Sequence, residues 1–198
     1  MNNLIGIKFR TTKPAGIRRI RGSDTYCSFI KNTEKVEIFY FKINDISCPL
    51  GRFYLGANET DINDIADKMA SECEGMNRKS ALKYLSKAVR INRNFNYVIC
   101  FRYPNNNIKP DIVIKVVKPD QAMRFIHKFT ALTGEIMNAS LAGTGSLCGE
   151  CTAYPFVSGK PNISLGCIDS RKATGVKKNE FFIAMPFDSV MHKILLQG

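Results

Sequence analysis

Tyr97-Val98-Ile99-Cys100-Phe101 and Ile112-Val113-Ile114-Lys115-Val116-Val117 are two nearly continuous apolar runs, parted by the polar turn Asn105-Asn106-Asn107 and by Pro110. Runs of this length, rich in β-branched and aromatic residues, read as buried strands. An antiparallel hairpin is the simplest link between them. Just beyond, Pro119-Asp120 opens a helix that sets Ala122, Phe125, Ile126, Phe129 and Leu132 on one face and stops at Gly134.

Working outward, Val36 to Ile43 carries apolar side chains on both pleat faces, with Val36, Ile38 and Tyr40 opposite Phe39, Phe41 and Ile43. That pattern reads as a central strand covered on both sides. Leu4 to Arg10, Asn162 to Cys167 and Phe181 to Met185 are further strands, with Asp169-Ser170-Arg171 a polar turn after the second of these. Ser23 or Asp24 caps a short helix carrying Tyr26, Cys27, Phe29 and Ile30, and Ser47 or Cys48 caps another that begins with Pro49. A helix from Thr60 aligns Ile62, Ile65, Ala66, Met69 and Cys73 and stops near Gly75; one capped by Ser80 aligns Ala81, Tyr84, Leu85 and Ala88. Gly143 to Cys151 is a glycine-rich loop leading into a short helix at Thr152 to Pro155, and Asp188 caps a terminal helix with Met191, Ile194 and Leu195 on its apolar face. Strands and helices mingle, and no linker or repeat divides residues 1–198. The expectation is a single α+β domain, a mixed β-sheet covered by helices.

The chain of 198 residues is 44% hydrophobic and 23% charged, which excludes disordered, collagen-like and coiled-coil classes. No stretch approaches the roughly 18 apolar residues of a membrane span, and Met1 to Lys8 lacks the apolar core of a signal peptide. A cytoplasmic protein away from the membrane is expected. The 29 Lys and Arg against 17 Asp and Glu leave a charge of +12, which favours acidic partners, nucleic acid or anionic ligands among them. Arg18, Arg19 and Arg21 in one loop, and Arg171, Lys172, Lys177 and Lys178 in another, are the candidate phosphate contacts.

Hydrolase elbows, Walker loops, dinucleotide fingerprints and zinc-protease helices are all missing, and His127 and His192 read as solvated surface groups. Cysteine placement carries more information. The seven cysteines are odd in number, which rules out full pairing within one chain. Cys27, Cys48 and Cys148 fall at helix starts and Cys167 closes a strand, whereas Cys73 and Cys100 lie on apolar faces as small hydrophobes. A helix N-terminus favours thiolate over thiol and supplies N–H donors to sulfur, an arrangement that suits metal ligation. Cys148-Gly149-Glu150-Cys151 also admits a dithiol reading, although the aromatic residue and early βαβ position of thioredoxin-like sites are lacking.

Ile5-Gly6-Ile7-Lys8-Phe9, Tyr26-Cys27, Asp45-Ile46-Ser47-Cys48-Pro49, Pro119-Asp120-Gln121-Ala122-Met123-Arg124, Cys148 with Tyr154-Pro155, and Ser164-Leu165-Gly166-Cys167-Ile168-Asp169-Ser170-Arg171 with Met185-Pro186 form a pattern spread over nearly the whole chain. It resembles an archaeal and bacterial family catalogued as domain of unknown function number 169. The resemblance carries no established activity. It does imply a choice among cysteines, since Cys27, Cys48, Cys148 and Cys167 match the family pattern while Cys73, Cys100 and Cys151 do not. Gly166 departs from a proline in that pattern, and Ile168-Asp169-Ser170 from a glycine, which bears on the loop geometry and leaves Cys167 in place.

Four thiolates suit a [4Fe–4S] cluster or a tetrahedral zinc. Singly scattered cysteines among Tyr26, Phe29, Phe53 and Tyr54 favour the cluster over paired zinc knuckles. The expected centre therefore has Cys27, Cys48, Cys148 and Cys167 as ligands, Cys151 as a substitute, and Thr144 and Arg171 beside it. Electron transfer, cluster delivery or sensing with another protein as partner is the expected function. Structural zinc, or a metal-free basic module for nucleic acid or an anionic ligand, are the alternatives.

Overall fold

The computed structural model describes residues 4–22, 24–57, 61–92, 94–105, 108–188 and 194. Its frame is one six-stranded sheet made of β1 (Leu4–Arg10), β2 (Ile38–Lys42), β3 (Tyr97–Tyr103), β4 (Ile112–Val117), β5 (Asn162–Ser164) and β6 (Phe181–Pro186), in the order β2-β3-β1-β4-β6-β5. Every pairing between these strands is antiparallel, unlike the mixed sheet the sequence suggests; parallel pairing is confined to the single bridges Arg19–Tyr40 and Asp24–Ile46. The α+β class stands.

The two apolar runs are strands, but they are not a hairpin. β1 lies between them, pairing Ile7 with Cys100 on one side and with Ile112 on the other. β1 has apolar residues to offer on both flanks of a central position, and the intervening link packs Ile108 against the sheet face opposite to that of Ile7. β2, by contrast, is at the sheet edge and not central. Its apolar pleat faces are both covered, and its outer edge is closed by the preceding loop, where Ile20 N donates to Tyr40 O at 2.9 Å and Tyr40 N to Arg18 O at 3.0 Å. A covered edge has the same two-sided apolar pattern as a central strand.

Pleat alternation sorts the strand residues into two cores. Ile5, Ile7, Phe9, Phe39, Phe41, Val98, Cys100, Ile112, Ile114, Phe182 and Ala184 face α1 (Tyr26–Lys31), α2 (Pro49–Tyr54), α3 (Ile62–Glu72) and α4 (Arg78–Lys87). Ile99, Phe101, Val113, Val117, Ile183 and Met185 face the opposite way, where α5 (Pro119–Thr133) adds Ala122 and Phe129. α5 begins and ends where the sequence places it, with Gly134 as a left-handed cap. Leu132, expected on its buried face, is exposed.

Some boundaries differ for local reasons. α4 is capped by Asn77, with Ser80 three residues on as the reciprocal partner of a capping box, so Ser80 lies inside the helix. α1 is capped by Thr25, whose hydroxyl accepts from Ser28 N, and Ser23 lies outside the described residues, as do Thr60, Asn106 and most of the expected terminal helix. β5 ends at Ser164; Cys167 then caps α7 (Ile168–Thr174), so Asp169-Ser170-Arg171 is helical and not a turn.

The glycine-rich stretch contains the least regular element. Ser146–Ala153 is a π-helix of eight residues, all of them buried, which runs into α6 (Tyr154–Ser158). Gly145, at φ 63°, launches it, and its carbonyl accepts from both Gly149 N at 2.6 Å and Glu150 N at 3.2 Å, which carries the ladder from four-residue to five-residue spacing. Thr152 Oγ1 donates back to Leu147 O at 2.7 Å and meets Tyr26 Oη at 3.0 Å, fixing the widened helix to α1. The π-helix is rare, and its short forms are frequent at functional sites.

Candidate functional site

Four helix starts converge on one face of the sheet, and each carries a cysteine. Cys27 is the second residue of α1, Cys48 the N-cap of α2, Cys148 the third residue of the π-helix and Cys167 the N-cap of α7. The junction is built by close packing. A methyl group on Gly51 of α2 would stand 3.6 Å from Tyr26 Cβ and 3.8 Å from Cys48 Cβ. Lys31 Nζ donates to Thr174 O at 2.8 Å, which ties the C-terminal ends of the packed helices α1 and α7.

Electrostatics shows which sulfurs neighbour one another. The Cys27 thiol is pushed well above the ordinary thiol range by burial first, and then by Cys167, Cys48 and Asp169. Burial also raises Cys148, followed by Cys27, Cys48 and Cys167, while the Gly149 N–H opposes the shift. Cys27 and Cys148 are thus each influenced by the sulfurs of Cys48 and Cys167, residues far apart along the chain. Cys167 Sγ accepts from Ser170 N at 3.4 Å, the N-cap hydrogen bond of α7 made by sulfur. Among the described residues, no three His, Cys, Asp or Glu side chains are grouped closely enough to hold a metal ion.

Cys151 is fully buried in the π-helix, raised by burial and then Glu150, and it also feels Cys27 and Cys167. Cys73, read from the sequence as a packing residue, is the half-buried C-cap of α3; burial raises it first, then Glu72, with Asp169 and Cys167 adding to the rise. Its spacing continues the apolar stripe of α3, so no local signal marks it. Cys100 lies buried in β3, where its charge is felt by Tyr26.

Arg171 acts on the backbone. Its guanidinium donates to Leu165 O at 2.5 Å, Glu180 O at 3.0 Å and Lys177 O, so it braces the loop that carries Cys167. Thr144 is half-buried, and its carbonyl accepts from Tyr84 Oη at 3.3 Å. Of the basic groups, Arg19 is held by both carboxylate oxygens of Asp45, at 3.1 and 3.0 Å, which leaves Arg18, Arg21, Lys172, Lys177 and Lys178 exposed. His127 is exposed on α5, and His192 lies outside the described residues.

Behind Cys148 the π-helix is clamped by a network with no sequence signature. Glu150 is buried, and its Oε1 accepts from Ala142 N at 2.5 Å and Gly143 N at 3.0 Å while Oε2 accepts from the Ser164 hydroxyl. Asn162 completes it, bonding Ser140 through both amide atoms and Glu150 O at 2.9 Å. On the other side, the Tyr54 ring lies on Gly145 and Gly149, and its hydroxyl meets that of Tyr84.

The fold and this junction define an α+β protein built on an open antiparallel sheet, with thiols at the meeting point of its helices. The chain belongs to domain of unknown function 169, whose family model, described as uncharacterised ArCR, matches residues 2–193. It is also similar to an uncharacterized protein of Methanocaldococcus jannaschii, 32% identical over 77 residues, or 39% of this chain and 33% of that protein. The match thus spans about a third of that relative's length. No solved structure matches the chain.

Proposed function

We propose that this protein is a cysteine-ligated metal-cluster protein in which Cys27, Cys48, Cys148 and Cys167 hold a [4Fe–4S] cluster for electron transfer, cluster delivery or sensing. The observation that supports the reading is the placement of these four cysteines at four helix starts, with Cys27 and Cys148 both influenced by Cys48 and Cys167. The donor chemistry is of the right kind: four soft sulfurs, two of them with N–H groups directed at them from Gly149 and Ser170, near the buried rings of Tyr26, Phe29 and Phe53. When bound, a cluster of this kind takes up and releases single electrons. The chain's own residues would orient the thiolates, with Arg171 holding the Cys167 loop and Thr144 and Tyr84 holding the entry to the π-helix. Cys151 lies in the same helix as a substitute sulfur. The exposed lysines and arginines suit an acidic protein partner.

The test is oxygen-free purification followed by an absorption spectrum and assays of iron, acid-labile sulfide and zinc. Brown protein with iron and sulfide in equal amounts, lost on Cys27→Ser or Cys148→Ser and kept on Cys73→Ser, is the expected result. Stoichiometric zinc without colour would replace the cluster by a structural zinc site. Metal-free protein that binds RNA or DNA with steep salt dependence would overturn the metal reading in favour of a nucleic-acid module.

A further inference from the structure

A second site lies on the far side of the π-helix from its core, where a cleft of about 220 Å³ opens between the end of α4 and the loop that Glu150 holds. Its floor is Gly149, and its sides include Lys87, Ala88 and Val89 after α4 and Ser140 and Leu141 on the loop. That volume is below the usual range for drug-sized ligands and suits a small molecule.

The polar groups of the cleft divide into two sets. Tyr54, Tyr84 and Glu150 are occupied: the two phenols bond each other, Tyr84 also donates to Thr144 O, and the Glu150 carboxylate accepts from two amides and a hydroxyl. Three donors have no side-chain hydrogen-bond partner among the described residues, namely Lys87 Nζ and Ser140 Oγ, both exposed at the rim, and Tyr154 Oη, half-buried. One of these is a cation, and among the described residues lining the cleft the one carboxylate, Glu150, is turned toward Ala142, Gly143 and Ser164 by three hydrogen bonds. Free donors with an unpaired positive charge select an anion. The remaining lining is aliphatic, and Leu141 is 53% exposed at the mouth.

From this arrangement we infer a binding site for a small organic carboxylate, with the anion on Lys87, Tyr154 and Ser140 and an apolar body against Ala88, Val89 and Leu141. The site stands whether or not the thiols hold a metal. It also backs onto them, because Gly149 and Glu150 of its wall follow Cys148 in the π-helix.

Three probes separate the chemistry on the full chain, followed by backbone amide shifts in NMR. Benzoate has both charge and body, benzyl alcohol the body alone, and inorganic phosphate the charge alone. Benzoate should shift the amides of Ala142, Gly149 and Glu150 saturably, and should bind more tightly than either of the others. Lys87→Gln should weaken benzoate about tenfold and Tyr154→Phe about threefold, while Lys83→Gln, exposed on the same helix, leaves it unchanged. Absence of saturable benzoate binding at millimolar concentration overturns the inference. So does phosphate or benzyl alcohol binding as tightly as benzoate, or wild-type benzoate affinity in a folded Lys87→Gln variant.

Discussion

Replacing Gly149 by alanine tests the packing that shapes the π-helix. A Cβ there would lie 2.5 Å from Tyr54 Cζ, 2.7 Å from Cε1 and 2.9 Å from Cε2, all about 1 Å inside ordinary carbon contact. The ring has little room to retreat, since Tyr54 is only 5% exposed, rests also on Gly145 and is tethered to Tyr84 by its hydroxyl. Overpacking of this kind costs about 3 kcal/mol at the upper end of its usual range. Alanine returns about 0.5–1 kcal/mol of helical preference over glycine, leaving a net loss of about 2 kcal/mol. For a chain of this length that is about 4–8 °C in Tm. Urea unfolding should show a lower midpoint at an unchanged slope. In a Tyr54→Ala background the same substitution should lose its cost and stabilise slightly. An equal loss in both backgrounds, or no loss in the parent, would refute the claim that the Tyr54 ring is what excludes a side chain at this position.

Three further outcomes follow from other contacts. Arg171→Met removes a guanidinium that spans three backbone carbonyls, so Cys167 in metal-free protein should be alkylated several-fold faster while far-UV circular dichroism stays the same; an unchanged rate would detach Arg171 from the Cys167 loop. Burial pushes the Cys100 thiol up. The unfolded chain then releases that proton first, from about pH 8.5, so stability is full below that pH and falls as pH rises, by at most about 1.4 kcal/mol per unit. Cys100→Ala should flatten part of this decline in urea midpoints taken from neutral to alkaline pH, and an identical decline would show that Cys100 does not ionise on unfolding. Gly6→Ala sets a Cβ 2.4 Å from the Phe101 ring across the β1–β3 pair; it should cost about 2 kcal/mol, most of it recovered by adding Phe101→Leu.

The sequence is most informative where a signal is local. α5 is readable from Pro119 and Gly134 because both act within one turn of the helix ends, and the six strands are readable from apolar runs. Strand neighbours are not, because β3 and β4 are each satisfied by β1 from about a hundred residues earlier. The edge position of β2 is hidden for a related reason: the loop at Arg18 to Ile20 supplies the cover that a central strand draws from neighbours. Placement of cysteines at helix starts was legible at Cys27, Cys48 and Cys148. Cys167 caps a helix that Gly166 and Asp169 disguise as a turn, and Cys73 enters the neighbourhood only through tertiary packing. The clamp of Glu150 and Asn162 is invisible from spacing alone, since its acceptors and donors are backbone groups of a loop with no period of its own.

The central place of β1 has a consequence for biosynthesis. Leu4–Arg10 leaves the ribosome with both hydrogen-bonding flanks bare, and its partners follow only with Tyr97–Tyr103 and Ile112–Val117. Until those residues are made, then, the nascent chain carries a sticky ribbon with nothing to zip against. Ribosome-associated chaperones that shield such ribbons should raise the soluble yield of this chain more than that of one whose first strand pairs with the second.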